Sequence, residues 1–477
     1  MTSTPLLDHI TAARWFGGKG RRPRLVGVTP LPWLRPPGDW PAVRIEIAEI
    51  GYPEGDTELY QLLISYRPEQ DQQQPLIAVQ DPDHGRLAGV DGTDDPVLHA
   101  ALLETILSGR RSDDDSSTGI GPSPAVGEPG DDTLLAAHVI GAAQDGEPAG
   151  LPSRIFAGEQ SNTSILYADV ALLKIFRRLQ PGRNPDIAIH EQLTRAGNRR
   201  IARLQGWLTA GLRHDRDLPS SAESGPVGTD LAMLVQQLPN ARNGWELALT
   251  ALGDGQDLSR AAADLGSALA DIHRDLRTRF GSQQADGTEL ADAMATRVAA
   301  AALVVPELGP LQAPLSRLLD RLRSHSVDVQ RVHGDFHLGQ ALLTDDGWKI
   351  IDFEGEPAKT LAERHRPDSV WRDIAGALRS IDYAAAHRRD AVGDRWSADC
   401  RQGFLDGYRR SAGWQPDDSH GSSDPDDRSD PAEQEALLPA YLADKAIYEV
   451  VYEARNRPDW LPIPLAAVTA LADGAAS

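Results

Sequence analysis

The stretch RVHGDFHLGQALLTDDGWKIIDFEGEP, Arg331 to Pro357, decides how the rest of the chain is read. It contains the string H-G-D-x-H-x-x-Q, with Asp335 five residues before Gln340, and Asp352 of I-D-F-E twelve residues after Gln340. The run TDDGW, Thr344 to Trp348, has turn chemistry between apolar runs, so a hairpin is predicted that carries Asp335 and Asp352 to the same end. Moving a phosphoryl group onto a hydroxyl needs a carboxylate at that hydroxyl and oxygen ligands that hold magnesium on the phosphates. Asp335 stands where the base belongs, and Gln340 and Asp352 stand where metal ligands belong. Taken singly, an Asp or Gln in a loop is an ordinary turn residue, and a His is more often a hydrogen bonder than a ligand. It is the combination at this spacing that favours chemistry. His333 is expected to brace the loop. His337, two residues beyond the base, either faces the acceptor or serves the loop as His333 does.

ATP also needs a cover for its phosphates and a lysine. Upstream lies GEQSNTS, Gly158 to Ser164, a polar turn whose Gln160, Ser161, Asn162 and Thr163 suit phosphate oxygens. It lacks the glycine density of a Gly-rich loop and is not a P-loop; by itself it is an ordinary hairpin turn. Ten residues after Ser164 comes Lys174 in ALLKIF, flanked by Leu172, Leu173, Ile175 and Phe176. A lysine in such a strand is costly unless paired. A phosphate and a carboxylate on the next helix, Glu191, are the expected partners, with a solvated helix glutamate as the alternative for Glu191.

Around these segments the chain is predicted to hold strands in residues 41–79, through PAVRIEIAEI, ELYQLLISYR and PLIAV, then a helix at Pro96–Ser108. Ser153–Phe176 reads as two strands around a polar turn, Asn184-Pro185 opens a helix, and Thr229–Leu238 is one more strand. Beyond Pro239 helical periods dominate: Leu258–Arg279, Leu290–Ala302, Leu311–Arg323, Ser369–His387 and Glu433–Arg455, with Val332–Glu356 as one strand-like island. This order predicts an α+β, bilobal protein-kinase-like fold. Residues 1–110 form a cap domain, 134–238 a sheet-rich N-lobe with the nucleotide hairpin and lysine, and 239–477 a helical C-lobe with the catalytic loop and acceptor site. Three stretches, Gly109–Thr133, His214–Gly228 and Gln415–Glu433, are Ser, Asp, Gly and Pro with little to bury, and read as exposed loops.

The totals set limits. The 477 residues exceed one compact domain, and 48 Lys+Arg against 70 Asp+Glu leave a net charge of -22. Such a surface repels nucleic acid and anionic membranes, so neither is expected as a partner. The single cysteine, Cys400, permits no internal disulfide and reads as a core residue, which fits a cytoplasmic setting. Neither a signal peptide nor an apolar run of membrane-spanning length is visible.

These blocks resemble the actinobacterial maltokinase family, itself related to aminoglycoside phosphotransferases. ARWFGGKGR (Ala13–Arg21) is similar to the family's opening signature, and GEQSNTS with LLKIFRRLQPGRNP to its phosphate cover and lysine. HGDFHLGQALLT and IDFEGEP are similar to its catalytic and metal segments, and WRDIAGALRSIDYAA and DKAIYEVVYEARNRPDWLPIPL to its C-terminal lobe. The resemblance implies that ATP and Mg²⁺ are the cofactors, that two lobes close around ATP, and that maltose becomes maltose 1-phosphate for α-glucan synthesis. It implies Asp335 as base, Gln340 and Asp352 as metal ligands, Lys174 at the phosphates, and Lys445, Tyr448 and Tyr452 holding the disaccharide. Positions i, i+3 and i+7 share a helix face, and tyrosine rings stack on sugars; a helix burying both tyrosines in the core is the alternative. Asn456, Arg457 and Trp460 follow and would complete the site. A related branch phosphorylates glucosamine, so an aminosugar or aminoglycoside kinase is the first rival and an inactive kinase-like binding module the second. A monomer or weak homodimer is expected.

Overall fold

The computed structural model describes residues 4–71, 74–111, 135–140, 150–156, 158, 161–212, 227–356, 359–388, 390–414 and 435–474. The three polar stretches therefore lie almost wholly outside the described residues. The start of the first and the end of the second are exceptions, because Arg110–Arg111 and Val227–Gly228 belong to strands. The chain forms two compact units, Met1–Glu191 with Ala202–Pro239 and Gln192–Ile201 with Asn240–Ser477.

The first unit opens with a helix the strand reading missed, Pro5–Ala12, capped by the Thr4 side chain. Five antiparallel strands follow: β1 (Arg24–Arg35), β2 (Ala42–Gly51), β3 (Thr57–Pro68), β4 (Ile77–Asp81) and β5 (Gly85–Asp91), in the order β1-β2-β3-β5-β4. Alternation sends Val43, Ile45 and Ile47 to one face of β2 and Ala42, Ala48 and Ile50 to the other. Both faces are buried, so this sheet has a core on each side. The helix Pro96–Leu107, with Asp95 as its cap, joins the first of these cores through Leu98, Leu102, Leu103 and Ile106.

The second sheet of this unit contains β6 (Arg110–Arg111), β7 (Leu135–Val139), β8 (Ser153–Phe156), β9 (Thr163–Tyr167), β10 (Ala171–Ile175), then β12 (Leu204–Leu212) and β13 (Val227–Gln236). Their order is β6-β7-β12-β13-β10-β9-β8, while the short β11 (Arg178–Leu179) pairs with β3 of the first sheet. Residues 153–176 thus hold three strands where two were expected. A tight turn with Ala168 at φ 47° folds β9 back onto β10; no glycine or proline marks it in the sequence. The helix Pro185–Arg195 begins at its proline, as expected.

The second unit is helical: Gly244–Asp254, Ser259–Phe280, Gly287–Val304, Gln312–Arg323, Trp371–Ala385, Ala391–Ala412, Leu438–Asn456 and Pro462–Gly474. Its strands are β14 (Arg242–Asn243), β15 (Ser282–Asp286), β16 (Ser326–Gln330), β17 (Ala341–Thr344) and β18 (Gly347–Ile350). The hairpin β17–β18 is the expected one, but β15 pairs with β16 as a second ladder, so Val332–Glu356 is not the sole strand-like island. Helix Ala391–Ala412 went unread because glycines and charges interrupt its apolar period. Those glycines serve packing: a Cβ on Gly407 would lie 1.9 Å from the Ala263 carbonyl oxygen, and one on Gly266 would lie 2.0 Å from that of Phe404. The two longest helices press backbone to backbone there. Cys400 is buried in this contact, where burial pushes its thiol up to about 12, so it is the core residue expected. Among the described residues no helix is long and apolar enough to cross a membrane.

Candidate active site

The loop Val332–Gln340 enters the β17–β18 hairpin and Ile351–Glu356 leaves it. Helix Trp371–Ala385 holds the loop from beneath. Asp373, fully buried in the first turn of that helix, accepts the backbone N–H of His333 at 2.8 Å and that of Gly334 at 2.8 Å. It also accepts His273 Nε2 at 2.9 Å, and Tyr408 lies 2.8 Å from the other nitrogen of that ring. Burial works against the Asp373 carboxylate, but His273 and the backbone donors outweigh it and hold its pKa low. A Cβ on Gly376, one turn on, would lie 2.2 Å from the Phe336 carbonyl oxygen, so only glycine allows the helix this close.

His333 braces the loop. Its Nε2 donates to the Ile351 carbonyl at 2.9 Å, which ties the two sides of the hairpin together, and its Nδ1 accepts the Asp335 N–H at 3.3 Å. His337 Nδ1 accepts the Gly339 N–H at 3.0 Å; burial lowers the pKa of this ring, so it is neutral and offers Nε2–H as donor. Gln340 Nε2 donates to Asp352 Oδ2 at 2.9 Å, and Asp352 sits at φ 68°, a left-handed conformation that aspartate adopts more readily than most side chains. The amide and carboxylate side by side are an all-oxygen donor set of the kind Mg²⁺ takes, once the amide presents its oxygen.

The Asp335 carboxylate is already engaged. Lys445 Nζ, from the helix Leu438–Asn456, donates to its Oδ1 at 2.8 Å and lies 3.7 Å from Glu356 Oε1. Burial opposes both charges, yet each stabilises the other: the Asp335 pKa is lowered and that of Lys445 raised. The charges continue beyond them. Glu356 meets Lys359 at 3.0 Å and Arg372 at 3.7 Å; Arg372 reaches Asp368, and Asp444 at 3.4 Å; Arg297 closes the chain on Asp444 at 2.7 Å. Four carboxylates face four cations. Lys445 was expected to face sugar hydroxyls, and the contact the structure shows is with the Asp335 carboxylate.

On the same helix, Tyr448 and Tyr452 are 36% and 45% exposed, their rings stacked at 6.4 Å and 24°, so neither lies in the core. The Lys445 ammonium sits 5.3 Å from the Tyr448 ring centre. Of the residues that follow, Arg457 pairs with Glu453 at 2.6 Å, Asn456 donates to the Tyr452 carbonyl at 2.8 Å, and Trp460 stacks on Tyr383 at 6.4 Å.

In the first unit, Lys174 on β10 donates to Asp186 Oδ2 at 2.9 Å, and His190 Nδ1 lies 2.9 Å from Asp186 Oδ1. Burial would raise the pKa of Asp186, but Lys174 and His190 hold it far below the usual carboxylate range. The expected partner, Glu191, accepts Arg183 at 2.6 Å. The helix is the right one, but the carboxylate at the lysine lies in its first turn rather than its second. Of the phosphate-cover residues, Gln160 lies outside the described residues, Ser161 is exposed and Asn162 half-buried. Thr163 belongs to β9 rather than to the turn, and its hydroxyl accepts Arg177 Nε at 2.7 Å. Ser164, opposite Lys174 in the ladder, keeps a buried hydroxyl with no hydrogen-bond partner among the described residues.

The profile of the phosphotransferase enzyme family matches residues 200–417, and that of the maltokinase N-terminal cap domain matches residues 9–95. The chain is thus similar to the phosphotransferase enzyme family over a little under half of its length. Its N-terminal region is similar to the maltokinase-type cap, and its fold is the kinase-like α+β phosphotransferase fold with a sheet-rich N-terminal region and a helical C-terminal region. A glucosamine kinase of Streptacidiphilus jiangxiensis is 27% identical over 344 residues, 66% of this chain and 72% of that protein. One from Mycolicibacterium smegmatis (strain ATCC 700084 / mc(2)155) is 27% identical over 66% of this chain and 78% of its own length. The structure of a glucosamine kinase in complex with glucosamine, ADP and inorganic phosphate superposes over 99% of both chains, with TM-score 0.63 and 20% identity. That likeness extends the shared fold through the cap.

Sequence reasoning missed Asp186, Glu356 and Asp373. Asp186 carried a usable signal, an acidic residue straight after Asn184-Pro185 at a helix start. Glu356 carried one too, since it stands four residues beyond Asp352 in the IDFEGEP segment, whereas Asp373 is one of many acidic residues until folding brings it to the loop.

Proposed function

We propose that this protein is an ATP-dependent sugar kinase whose acceptor is maltose, phosphorylated at its anomeric hydroxyl. The observation that carries this reading is the helix Leu438–Asn456, which sets Lys445 on the Asp335 carboxylate and an exposed stacked tyrosine pair beside it. Asp335 accepts the proton of the attacking hydroxyl. Tyr448 and Tyr452 give a second sugar ring an aromatic platform. In this reading Lys174, Ser161 and Asn162 meet the phosphates of ATP, and Gln340 and Asp352 hold Mg²⁺, which would neutralise charge on the transferring phosphoryl group. The balanced charges around Asp335 favour a neutral acceptor, because an aminosugar would add a cation where the ammonium of Lys445 already stands. The maltokinase-type cap agrees with the same choice.

The second reading, a glucosamine kinase, is favoured by two relatives that are glucosamine kinases. Measuring kcat/KM with maltose, glucose, glucosamine and kanamycin, in wild type and Tyr448→Ala, separates them. Maltose is expected to lead, and Tyr448→Ala to lower its kcat/KM by the equivalent of ~1–3 kcal/mol, on the scale of base-stacking losses, with the KM for ATP unchanged. A wild type that prefers glucosamine, or a variant that keeps its maltose efficiency, ends the maltose reading.

A further inference from the structure

We infer, building on the sugar-kinase reading, that Glu356 is a positioning residue: it receives Lys445 when an acceptor hydroxyl takes the place of Lys445 on Asp335. With Lys445 on Oδ1 at 2.8 Å, Asp335 is a weakened acceptor, since a neighbouring ammonium disfavours the proton that a base must take. The acceptor must come within hydrogen-bond reach of this carboxylate, about 2.6–3.2 Å. Lys445 has somewhere to go. Glu356 Oε1 is already 3.7 Å from its ammonium, less than an ångström farther than Asp335. Glu356 itself is anchored, with Lys359 on Oε2 at 3.0 Å and Arg372 at 3.7 Å from Oε1, and Arg372 is fixed in turn by Asp368 and Asp444. The mobile partner is the ammonium, at the end of a four-carbon stem, beside the Tyr448 ring.

The exchange moves no net charge. Lys445 leaves one carboxylate for another, both within a chain of four carboxylates and four cations, and a neutral hydroxyl fills the vacated position. An acceptor that carries its own ammonium would meet Lys445 before displacing it. Glu356 thus couples release of the base to the arrival of a hydroxyl, and it acts only through Lys445.

That last property is what a double-mutant cycle measures. Using the sugar that wild type turns over best, kcat and KM are determined for Glu356→Gln, Glu356→Asp, Lys445→Met and the Glu356→Gln/Lys445→Met pair. Glu356→Gln is expected to lower kcat at least fivefold with the KM for ATP unchanged, and Glu356→Asp to recover most of it. In the Lys445→Met background, the effect of Glu356→Gln should shrink to within twofold. Equal losses with and without Lys445 overturn the inference, as does a Glu356→Gln enzyme with wild-type kcat. So does a fall in Tm in Glu356→Asp that matches its loss of activity, because that would make Glu356 structural. The choice of sugar comes from the wild-type panel, so a wrong acceptor shows there and leaves the cycle readable.

Discussion

Asp335 draws its character from its partners. A carboxylate whose pKa is lowered by an adjacent lysine is ionised throughout the neutral range, so it is ready to accept a proton without a prior deprotonation. Its strength as a base then depends on what happens to Lys445. Replacing Asp335 with Asn keeps the shape and the acceptor oxygen and removes the capacity to take a proton. Turnover is expected to fall by ~10²–10⁴, the range for loss of a general base, while the KM for ATP stays put. Steady-state kinetics with saturating sugar check this, and near-normal kcat in Asp335→Asn would remove Asp335 from the base position.

At the scale of elements, the loop that carries Asp335 is held by the start of one helix. Asp373 receives two loop N–H groups and His273, all from positions remote in sequence. Asp373→Asn would put an amide NH₂ against donors and is expected to cost about 1.5–3 kcal/mol, the value of hydrogen bonds to a charged group. The sign with pH follows from its lowered pKa. The contribution of Asp373 is present above the ordinary carboxyl value of about 3.9 and disappears as pH falls through the lower folded value. Urea denaturation should show the variant weaker at pH 7, with the gap narrowing below about pH 4; a gap that does not change with pH would mean the loss is steric. The same element shows what was legible in the sequence. Asp335, Gln340 and Asp352 lie within one hairpin, so spacing alone brought them together. Their supports do not: Lys445 is 110 residues from Asp335 and Asp373 is 39 from Gly334. Sequence periodicity can say that a residue lies on a helix face, but it cannot say which loop that face will meet. For the same reason the helix after Lys174 was read correctly while its carboxylate was misplaced by five residues.

In the whole molecule, the cap and the N-lobe sheet are less separable than a domain list suggests. Cap residues Leu31, Val43, Ile45, Ile47 and Leu63 share one hydrophobic core with Ile165, Tyr167, Leu173 and Leu204 of the second sheet. The backbone pairs across the same seam through β3 and β11, and Gln61 N–H donates to the Arg177 carbonyl at 2.8 Å. Arg177, 2% exposed, is held there by neutral acceptors, the Thr163 hydroxyl at 2.7 Å, the Thr93 hydroxyl at 2.9 Å and the Gln61 carbonyl at 3.2 Å. Burial pushes its guanidinium down to about 10, while the charge of Asp91 and this ring of acceptors work the other way. Fully burying one Val, Leu or Ile is worth ~1.5–3 kcal/mol, so five such side chains rival the ~5–15 kcal/mol by which a folded protein is stable. A chain that begins at residue 134 is therefore expected to aggregate or to lose its native circular dichroism. In the intact protein the cap and N-lobe should melt in one calorimetric transition, with tryptic cuts in both appearing together. If the shortened chain is monodisperse with a cooperative melt, or if the cap melts by itself, the shared core does not couple them. The cap would then be a detachable appendage rather than part of the structure that holds Lys174 in place.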